Sequence, residues 1–170
     1  MAAETEKAKI RSGSLVPNFR LPATNRPGQL GPPDYKQHLN LVLMFFPSAE
    51  CKPCKRLLRE IANRHEEYKQ LEAEVLAIST DSKARLRQLA SDLDLPFPVL
   101  SDNDATVTNQ YLTTEEVAKK AAIFVTDRWG EVFAKIFEPD RNLRAALEVR
   151  EWLEFIELQC EECFPPERPS

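Results

Sequence analysis

Several features that mark other protein classes are missing from this 170-residue chain, and each absence excludes something. No apolar run approaches the roughly 18 residues that a membrane-spanning helix requires. The chain also lacks a basic excess, because 23 Lys and Arg face 27 Asp and Glu for a net charge of −4. A dedicated nucleic-acid binder usually carries a positive balance. We therefore expect neither a membrane protein nor a nucleic-acid binder.

Signals for export or for several domains are missing as well. The start, MAAETEKAKI, is charged and lacks the apolar stretch of a secretory signal, so the cytoplasm is the expected compartment. We find no internal repeat, low-complexity tract or interdomain linker, and this length suits one domain. The sequence thus predicts a single domain over residues 1–170, with a core at about 14–158 and a C-terminal tail at about 159–170.

Hydrophobic periodicity predicts strands that alternate with helices. Nearly continuous apolar runs at 39–46 and 74–80 are typical of strands buried on both faces. Helical stripes follow each run, the first reaching Tyr68, and a long final helix is predicted at 142–159.

A late hairpin completes the pattern. Residues 121–127 and 131–137 read as two strands joined by a turn in which Gly130 takes a positive φ, and a short helix precedes them at 105–111. The order from residue 39 is β-α-β-α-(α)-β-β-α. It predicts an α/β, thioredoxin-like three-layer fold with a mixed central sheet flanked by helices.

What the chain does contain is four cysteines in two C-x-x-C pairs. We call Cys51 and Cys54 the CKPC pair, and Cys160 and Cys163 the CEEC pair. In a reducing compartment this spacing points to redox chemistry or to metal binding more than to structural disulfides.

The CKPC pair follows the first buried strand, where a long helix begins. Helix N-terminal amides and the nearby basic side chains favour the thiolate, which is the reactive form of cysteine. Three-residue spacing at a helix start lets two sulfurs close into a disulfide. We therefore predict redox partners. The alternative is two inert buried cysteines, which the place of Cys54 on the apolar helical stripe favours. The basic residues are Lys52, Lys55, Arg56 and Arg59.

The chain resembles the AhpC/TSA branch of the peroxiredoxins, in the thioredoxin-fold superfamily. The resemblance runs from about Ser14 to Phe137 and is carried, in order, by the phrases VPNFRLPATN, DYKQHLNLVLMFFP, VLAISTDS, LPFPVLSDNDATVTNQY and AIFVTDRWGEV. It implies a thiol peroxidase that uses no cofactor or metal and is reset by a thioredoxin-like electron donor.

Two templates assign the CKPC pair differently. In the peroxidatic motif P-x-x-x-[TS]-x-x-C of the family, Pro47 takes the proline position, Cys54 becomes the attacking cysteine, and Cys51 replaces threonine or serine. In the C-x-P-C motif of thioredoxin-type oxidoreductases, Cys51 attacks and Cys54 resolves. The sequence leaves the choice of nucleophile open.

One position departs from both templates. Where peroxiredoxins have an activating arginine and thioredoxins a cis-proline, this chain has Ala121. The adjacent Lys119 and Lys120 offer charge, but a lysine lacks the forked guanidinium geometry of arginine.

The CEEC pair is flanked by acidic residues that disfavour the thiolate. A resolving or shuttle role suits Cys160 and Cys163, in which they reduce the active-site disulfide and are re-reduced from outside. Zinc held by both pairs is an alternative, although far more residues separate them than the roughly 15–20 of a zinc ribbon. A solvated tail without function is another.

The sequence thus predicts a peroxidase in which Cys54 attacks the peroxide and becomes a sulfenic acid, with which Cys51 then condenses. The main alternative is a thiol–disulfide oxidoreductase acting on protein disulfides. A zinc-binding or non-catalytic module is the third, and we allow for a homodimer.

Overall fold

The computed structural model describes residues 9–118, 121–138 and 144–162. Two short strands near the N-terminus pair antiparallel, β1 (Leu21–Pro22) with β2 (Gln29–Leu30). Five more strands form the main sheet: β3 (Asn40–Phe46), β4 (Ala73–Ser79), β5 (Val99–Ser101), β6 (Ala121–Thr126) and β7 (Val132–Glu138).

Helices fill most of the connections between these strands. None of the described helices has the length and apolar character needed to cross a membrane. Their bounds are α1 (Lys52–Asn63), α2 (His65–Gln70), α3 (Lys83–Asp92), α4 (Thr106–Tyr111), α5 (Thr114–Val117) and α6 (Ala145–Glu162).

The sheet has the order β5-β4-β3-β6-β7. Strands β3, β4 and β5 are parallel, whereas β6 runs antiparallel to β3, and β7 antiparallel to β6. This confirms the predicted mixed sheet. The hairpin of β6 and β7 also lies where the sequence places it, and Gly130 in its turn has a φ of 88°.

Three elements differ from the sequence reading. Strand β5 forms just after Pro98, where the sequence predicts no strand, because three residues are too few to show a period and the strand is made by pairing with β4. The first helix ends at Asn63, and Arg64 has non-helical angles. The final helix continues to Glu162, so the predicted tail from about residue 159 begins inside α6.

Both faces of the sheet are covered, as predicted, but helices alone cover only one of them. Helices α1, α2, α3 and α6 pack on one face around a continuous apolar cluster. The other face is covered by α4 and the extended N-terminal segment. Tyr111 anchors that second layer, since its hydroxyl donates to the Pro17 carbonyl at 2.6 Å and its ring packs on Phe45 and Phe124.

The two ends of the sheet have different roles. At one, which we call the Phe46 end, β3 and β4 finish at Phe46 and Ser79 and β6 begins at Ala121. At the other, the Asn40 end, β3 begins at Asn40 and β6 finishes at Thr126. The chain leaves the Phe46 end directly into the CKPC segment, so this end carries the candidate site.

Candidate active site

Cys51 caps the N-terminus of α1. Its backbone is extended, with φ −69° and ψ 108°, and its Sγ accepts a hydrogen bond from the Cys54 N–H at 3.3 Å. The next helical positions are Lys52 and Pro53, and a proline costs little there because its missing N–H would have no helical partner. The local sequence therefore starts a helix with both cysteines in its first turn.

The structure brings the two cysteines of the CKPC pair together. A disulfide joins them, and their Cα atoms lie 5.2 Å apart, which is within the normal range for this bond. Cys51 is half-buried, whereas Cys54 is only 1% exposed and packs in the cluster between α1 and the sheet. The pair is therefore one accessible sulfur bonded to one covered sulfur.

Positive charge surrounds the start of α1. The side chains of Lys52, Arg56 and Arg59 are exposed, and that of Lys55 is half-buried. Within the described part of the chain none of the four forms an ion pair. Their field and the free N–H groups of the first turn both favour a thiolate at this position.

The loop before Cys51 is held by the segment that follows β4. Pro47 is exposed, and its carbonyl accepts from the Thr80 hydroxyl at 3.0 Å. The Ala49 N–H donates to Asp81 Oδ2 at 2.8 Å, across 32 residues of sequence. Sequence reasoning missed these partners because 32 residues separate Ala49 from Asp81 along the chain. The cap of α3 is the next residue, Ser82, which accepts from the Arg85 N–H at 3.3 Å.

Arg85 adds a second tie to the same loop. Its guanidinium lies 2.7 Å from Glu50 Oε2 and 3.4 Å from Asp81 Oδ2. It thus links the residue just before Cys51 to the carboxylate that holds Ala49. The spacing of Asp81 and Arg85, four residues apart across the start of α3, is visible in the sequence. The partnership with Glu50 is not.

Ala121, which replaces the arginine of peroxiredoxins and the cis-proline of thioredoxins, lies at the start of β6. It is 2% exposed and packs in the same apolar cluster as Cys54. Its methyl group brings no charge to the site, and no peptide bond among the described residues is cis. Lys119 and Lys120, the suggested substitutes for arginine, lie outside the described residues.

The part of α6 that precedes the CEEC pair lies at the Asn40 end of the sheet. Glu157, near the end of α6, accepts from Asn40 Nδ2 at 2.9 Å and from Arg128 Nη2 at 2.6 Å, both at the Asn40 end. The backbone of Cys160 belongs to the next turn of α6. The Cys160 side chain and all of Cys163 lie outside the described residues. Their predicted resolving or shuttle role stays a prediction.

Metal binding has no support among the described residues, where no three His, Cys, Asp or Glu side chains could hold an ion together. The zinc alternative needs the CEEC pair, so this observation does not test it.

Replacing Asp81 tests whether its carboxylate holds the active-site loop. We expect Asp81→Ala to lower the free energy of unfolding by about 1–3 kcal/mol, because the Ala49 and Ser82 N–H groups lose their acceptor. Urea unfolding measures this. Asp92→Ala is the matched control, because Asp92 is exposed and accepts only from Gln88, and it should cost less than about 0.5 kcal/mol. Equal losses in the two variants would contradict the assigned role.

Comparison with known proteins places this geometry in context. The model of the AhpC/TSA family matches residues 12–135. Peroxiredoxin Q of Triticum aestivum, a chloroplastic protein, is 26% identical over 147 residues, covering 83% of this chain and 67% of that protein. Peroxiredoxin Bcp of Escherichia coli is 29% identical over 102 residues, or 60% of this chain and 64% of the other.

Solved structures agree with these matches at the level of the fold. The crystal structure of peroxidoxin BcpB from Mycobacterium tuberculosis superimposes with a TM-score of 0.74 at 21% identity. The superposition covers 86% of this chain and 98% of that one. The thioredoxin-like fold predicted from the order of strands and helices is thereby confirmed.

Proposed function

Because this chain belongs to the AhpC/TSA family and is a thiol-dependent oxidoreductase, we propose that it reduces peroxides with Cys54 as the attacking thiolate and Cys51 as the resolving thiol. The observation that carries the proposal is the CKPC pair itself, close enough for a disulfide in the first turn of α1. Cys54 also keeps the family spacing from Pro47.

The first step oxidises one sulfur. The Cys54 thiolate attacks an oxygen of the peroxide, the O–O bond breaks, and the departing oxygen leaves, after taking a proton, as water or an alcohol. Cys54 becomes a sulfenic acid. The Cys51 thiol then attacks the Cys54 sulfur and releases water, which leaves the disulfide seen in the structure. The peroxide has then gained two electrons, one pair from the two thiols.

In this reaction α1 stabilises the Cys54 thiolate. Ala121 brings no guanidinium, so among the described residues the positive potential at the CKPC pair comes from the helix N-terminus and the cations of its first two turns. When the CKPC disulfide is attacked, a sulfur in the first turn of α1 therefore leaves as a thiolate more readily than the sulfur of a free cysteine would. Because exposed cations replace the arginine, we expect the rate of peroxide reduction to depend on ionic strength.

Recovery of the dithiol begins at the accessible sulfur. A thioredoxin-like donor attacks Cys51, which is half-buried, rather than Cys54, which is 1% exposed. Cys54 is released as the thiolate and is at once in the form that attacks the next peroxide.

The same exposure favours a second function, thiol–disulfide exchange with a partner protein. In that reaction Cys51, the accessible sulfur at the N-cap, attacks the partner disulfide and Cys54 resolves the mixed disulfide. The two functions use one pair in opposite order, so only kinetics can rank them.

A single-turnover comparison separates the two. Reduced protein is mixed with one equivalent of hydrogen peroxide or of an oxidised protein disulfide. Closure of the CKPC pair is monitored as the loss of two thiols and as a mass decrease of two hydrogen atoms. We expect peroxide to close the pair at least about tenfold faster. Faster closure by the protein disulfide would replace the peroxidase with an oxidoreductase. The cytoplasmic location and the homodimer stay predictions.

A further inference from the structure

A groove runs between α1 and α3 and begins beside the CKPC pair. It consists of two adjoining pockets with volumes of about 160 Å³ and about 400 Å³, and both have Asp92 in their walls. The spacing of three or four residues along each helix puts one face of α1 and one face of α3 on the two sides. We call this surface the α1–α3 groove. Its charged and polar side chains are Lys55, Arg59 and Asn63 from α1 and Arg85, Gln88 and Asp92 from α3.

We propose that the α1–α3 groove binds an extended segment of the protein that reduces the CKPC disulfide. The segment is acidic next to its reacting cysteine and basic about four residues farther on. The inference rests on the proposed function, because it describes the partner that resets the disulfide left by peroxide reduction. It assigns that partner a binding site in addition to the sulfur that it attacks.

The groove opens within one helical turn of the accessible sulfur. Ala49, which precedes Cys51 in the same loop, lies in the wall of the first pocket. The Lys55 N–H donates to the Cys51 carbonyl at 3.0 Å, so Lys55 follows Cys51 by one turn of α1. A donor whose cysteine has reached Cys51 therefore has its neighbouring residues at the mouth of the groove.

The end of the groove near the CKPC pair is positively charged. The Lys55 side chain is half-buried and forms no ion pair within the described part of the chain. Arg85 lines the same pocket from α3, but Glu50 and Asp81 balance its charge at 2.7 Å and 3.4 Å. The Lys55 ammonium is thus open to a ligand, and it favours an acidic residue beside the donor cysteine.

The far end of the groove is negatively charged. Arg59 and Asp92 line its middle from opposite helices, where their charges offset each other. Just after the end of α3, Asp94 lines the second pocket with an exposed side chain, which forms no ion pair among the residues that the structure describes. This end of the groove therefore favours a basic residue.

The length of the groove sets the spacing between the two charges. From Lys55 to Asn63, α1 rises about 12 Å, at about 1.5 Å per residue. An extended chain rises about 3.3 Å per residue, so about four of its residues cover the same distance. Apolar contact comes from Leu89 and Ala62, which also line the pockets. The groove thus matches a short extended peptide segment with unlike charges at its two ends.

The exchange that this contact supports balances without a further oxidant. A donor thiolate attacks the Cys51 sulfur, the S–S bond breaks, and Cys54 leaves as a thiolate. The second donor thiol attacks the mixed disulfide and releases Cys51, so two electrons and two protons pass to the CKPC pair. The donor leaves as a disulfide. Binding of its segment in the groove holds the donor sulfur at Cys51 and raises the rate of the first attack.

Two peptides of the same composition test the order of the charges. Both are acetylated and amidated and begin with Cys-Gly-Cys. Two glutamates and then two lysines follow in the acidic-first peptide, and the order is reversed in the basic-first peptide. Each reduces the CKPC disulfide of a Cys160→Ser/Cys163→Ser protein, and its rate constant is divided by its rate constant with bis(2-hydroxyethyl) disulfide, a neutral compound. This division removes the effect of the peptide charges on the peptide thiols.

We expect the normalised rate constant to be at least about tenfold higher for the acidic-first peptide at low salt, with the difference shrinking at high salt. Lys55→Gln should lower this ratio by at least about threefold, because the acidic residues lose their partner. Lys52→Gln is the matched control and should change the ratio by less than about 1.5-fold. Lys52 carries the same charge in the first turn of α1 and is exposed, but it does not line the groove.

The far end has its own variant. Asp94→Asn should also lower the ratio, and asparagine tolerates the φ of 51° at this position. Any effect of these substitutions on the reactivity of the CKPC disulfide is the same for both peptides and cancels in the ratio.

A ratio near one in the protein without groove substitutions, or equal changes in Lys52→Gln and Lys55→Gln, would overturn the groove as the docking site. If peroxide fails to close the CKPC pair, the proposed function fails instead. The disulfide is then formed with a small-molecule disulfide, and the peptide rates are measured unchanged.

Discussion

Replacing Cys54 with serine is expected to lower the rate of peroxide reduction by more than about a thousandfold, because the nucleophile itself is lost. A serine hydroxyl stays protonated at neutral pH, so the position no longer presents an anion to the O–O bond. Peroxide consumption is measured with a small dithiol in excess, so that resetting of the enzyme does not limit the rate. Thermal unfolding of the variant checks that the buried hydroxyl, at a site 1% exposed, leaves the fold intact.

The matched control for Cys54→Ser is Cys51→Ser, which changes the other cysteine of the CKPC pair. Cys51→Ser should keep the rate of the first oxidation within about threefold, since it retains the attacking thiolate and the helix start. If the first oxidation instead survives in Cys54→Ser and is lost in Cys51→Ser, then Cys51 is the nucleophile. The thioredoxin-type assignment of the pair would replace the peroxidatic one.

Cys51→Ser should then fail at the second step. With no thiol in the first turn to condense with the sulfenic acid, that species accumulates and excess peroxide drives it on to sulfinic acid. We expect steady turnover with a dithiol donor to fall by about a hundredfold during repeated cycles. A 1,3-diketone reagent that traps sulfenic acids, read by mass, measures the accumulated species, and oxygen additions on Cys54 report the sulfinic acid.

Cys160→Ser provides the control for this second variant. It removes one thiol but leaves the CKPC pair intact, so under excess dithiol it should form no trapped sulfenic acid. Unchanged turnover in Cys51→Ser would mean that the donor reduces the sulfenic acid directly. Cys51 would then have no resolving role, and its sulfur would serve only as the cap of α1.

The loop around Pro47 is held without any contact from Ala121. Thr80 and Asp81 hold the carbonyl of Pro47 and the N–H of Ala49, and Arg85 ties Glu50 to the same carboxylate. The segment that carries Cys51 is thus fixed from the β4 side of the site. An arginine at the start of β6 is not needed for that positioning, although its charge is missing from the site.

Local patterns in the sequence were enough for the order of elements and for the helix start at Cys51. Strands β3 and β4 are continuous apolar runs, and the CKPC segment combines a cap, an early proline and an apolar stripe, all within one or two turns. These signals act between near neighbours, so one chain read alone contains them. The family phrases carry the peroxidase assignment for the same reason, since each is a short continuous stretch.

Only the tertiary structure decided what depends on contacts between distant segments. Strand β5 exists because it pairs with β4, and Asp81 serves the loop at Ala49 because the sheet puts the two side by side. The course of α6 is the largest example. Glu157, held by Asn40 and Arg128, fixes the described part of α6 at the Asn40 end of the sheet, whereas the CKPC segment follows the Phe46 end.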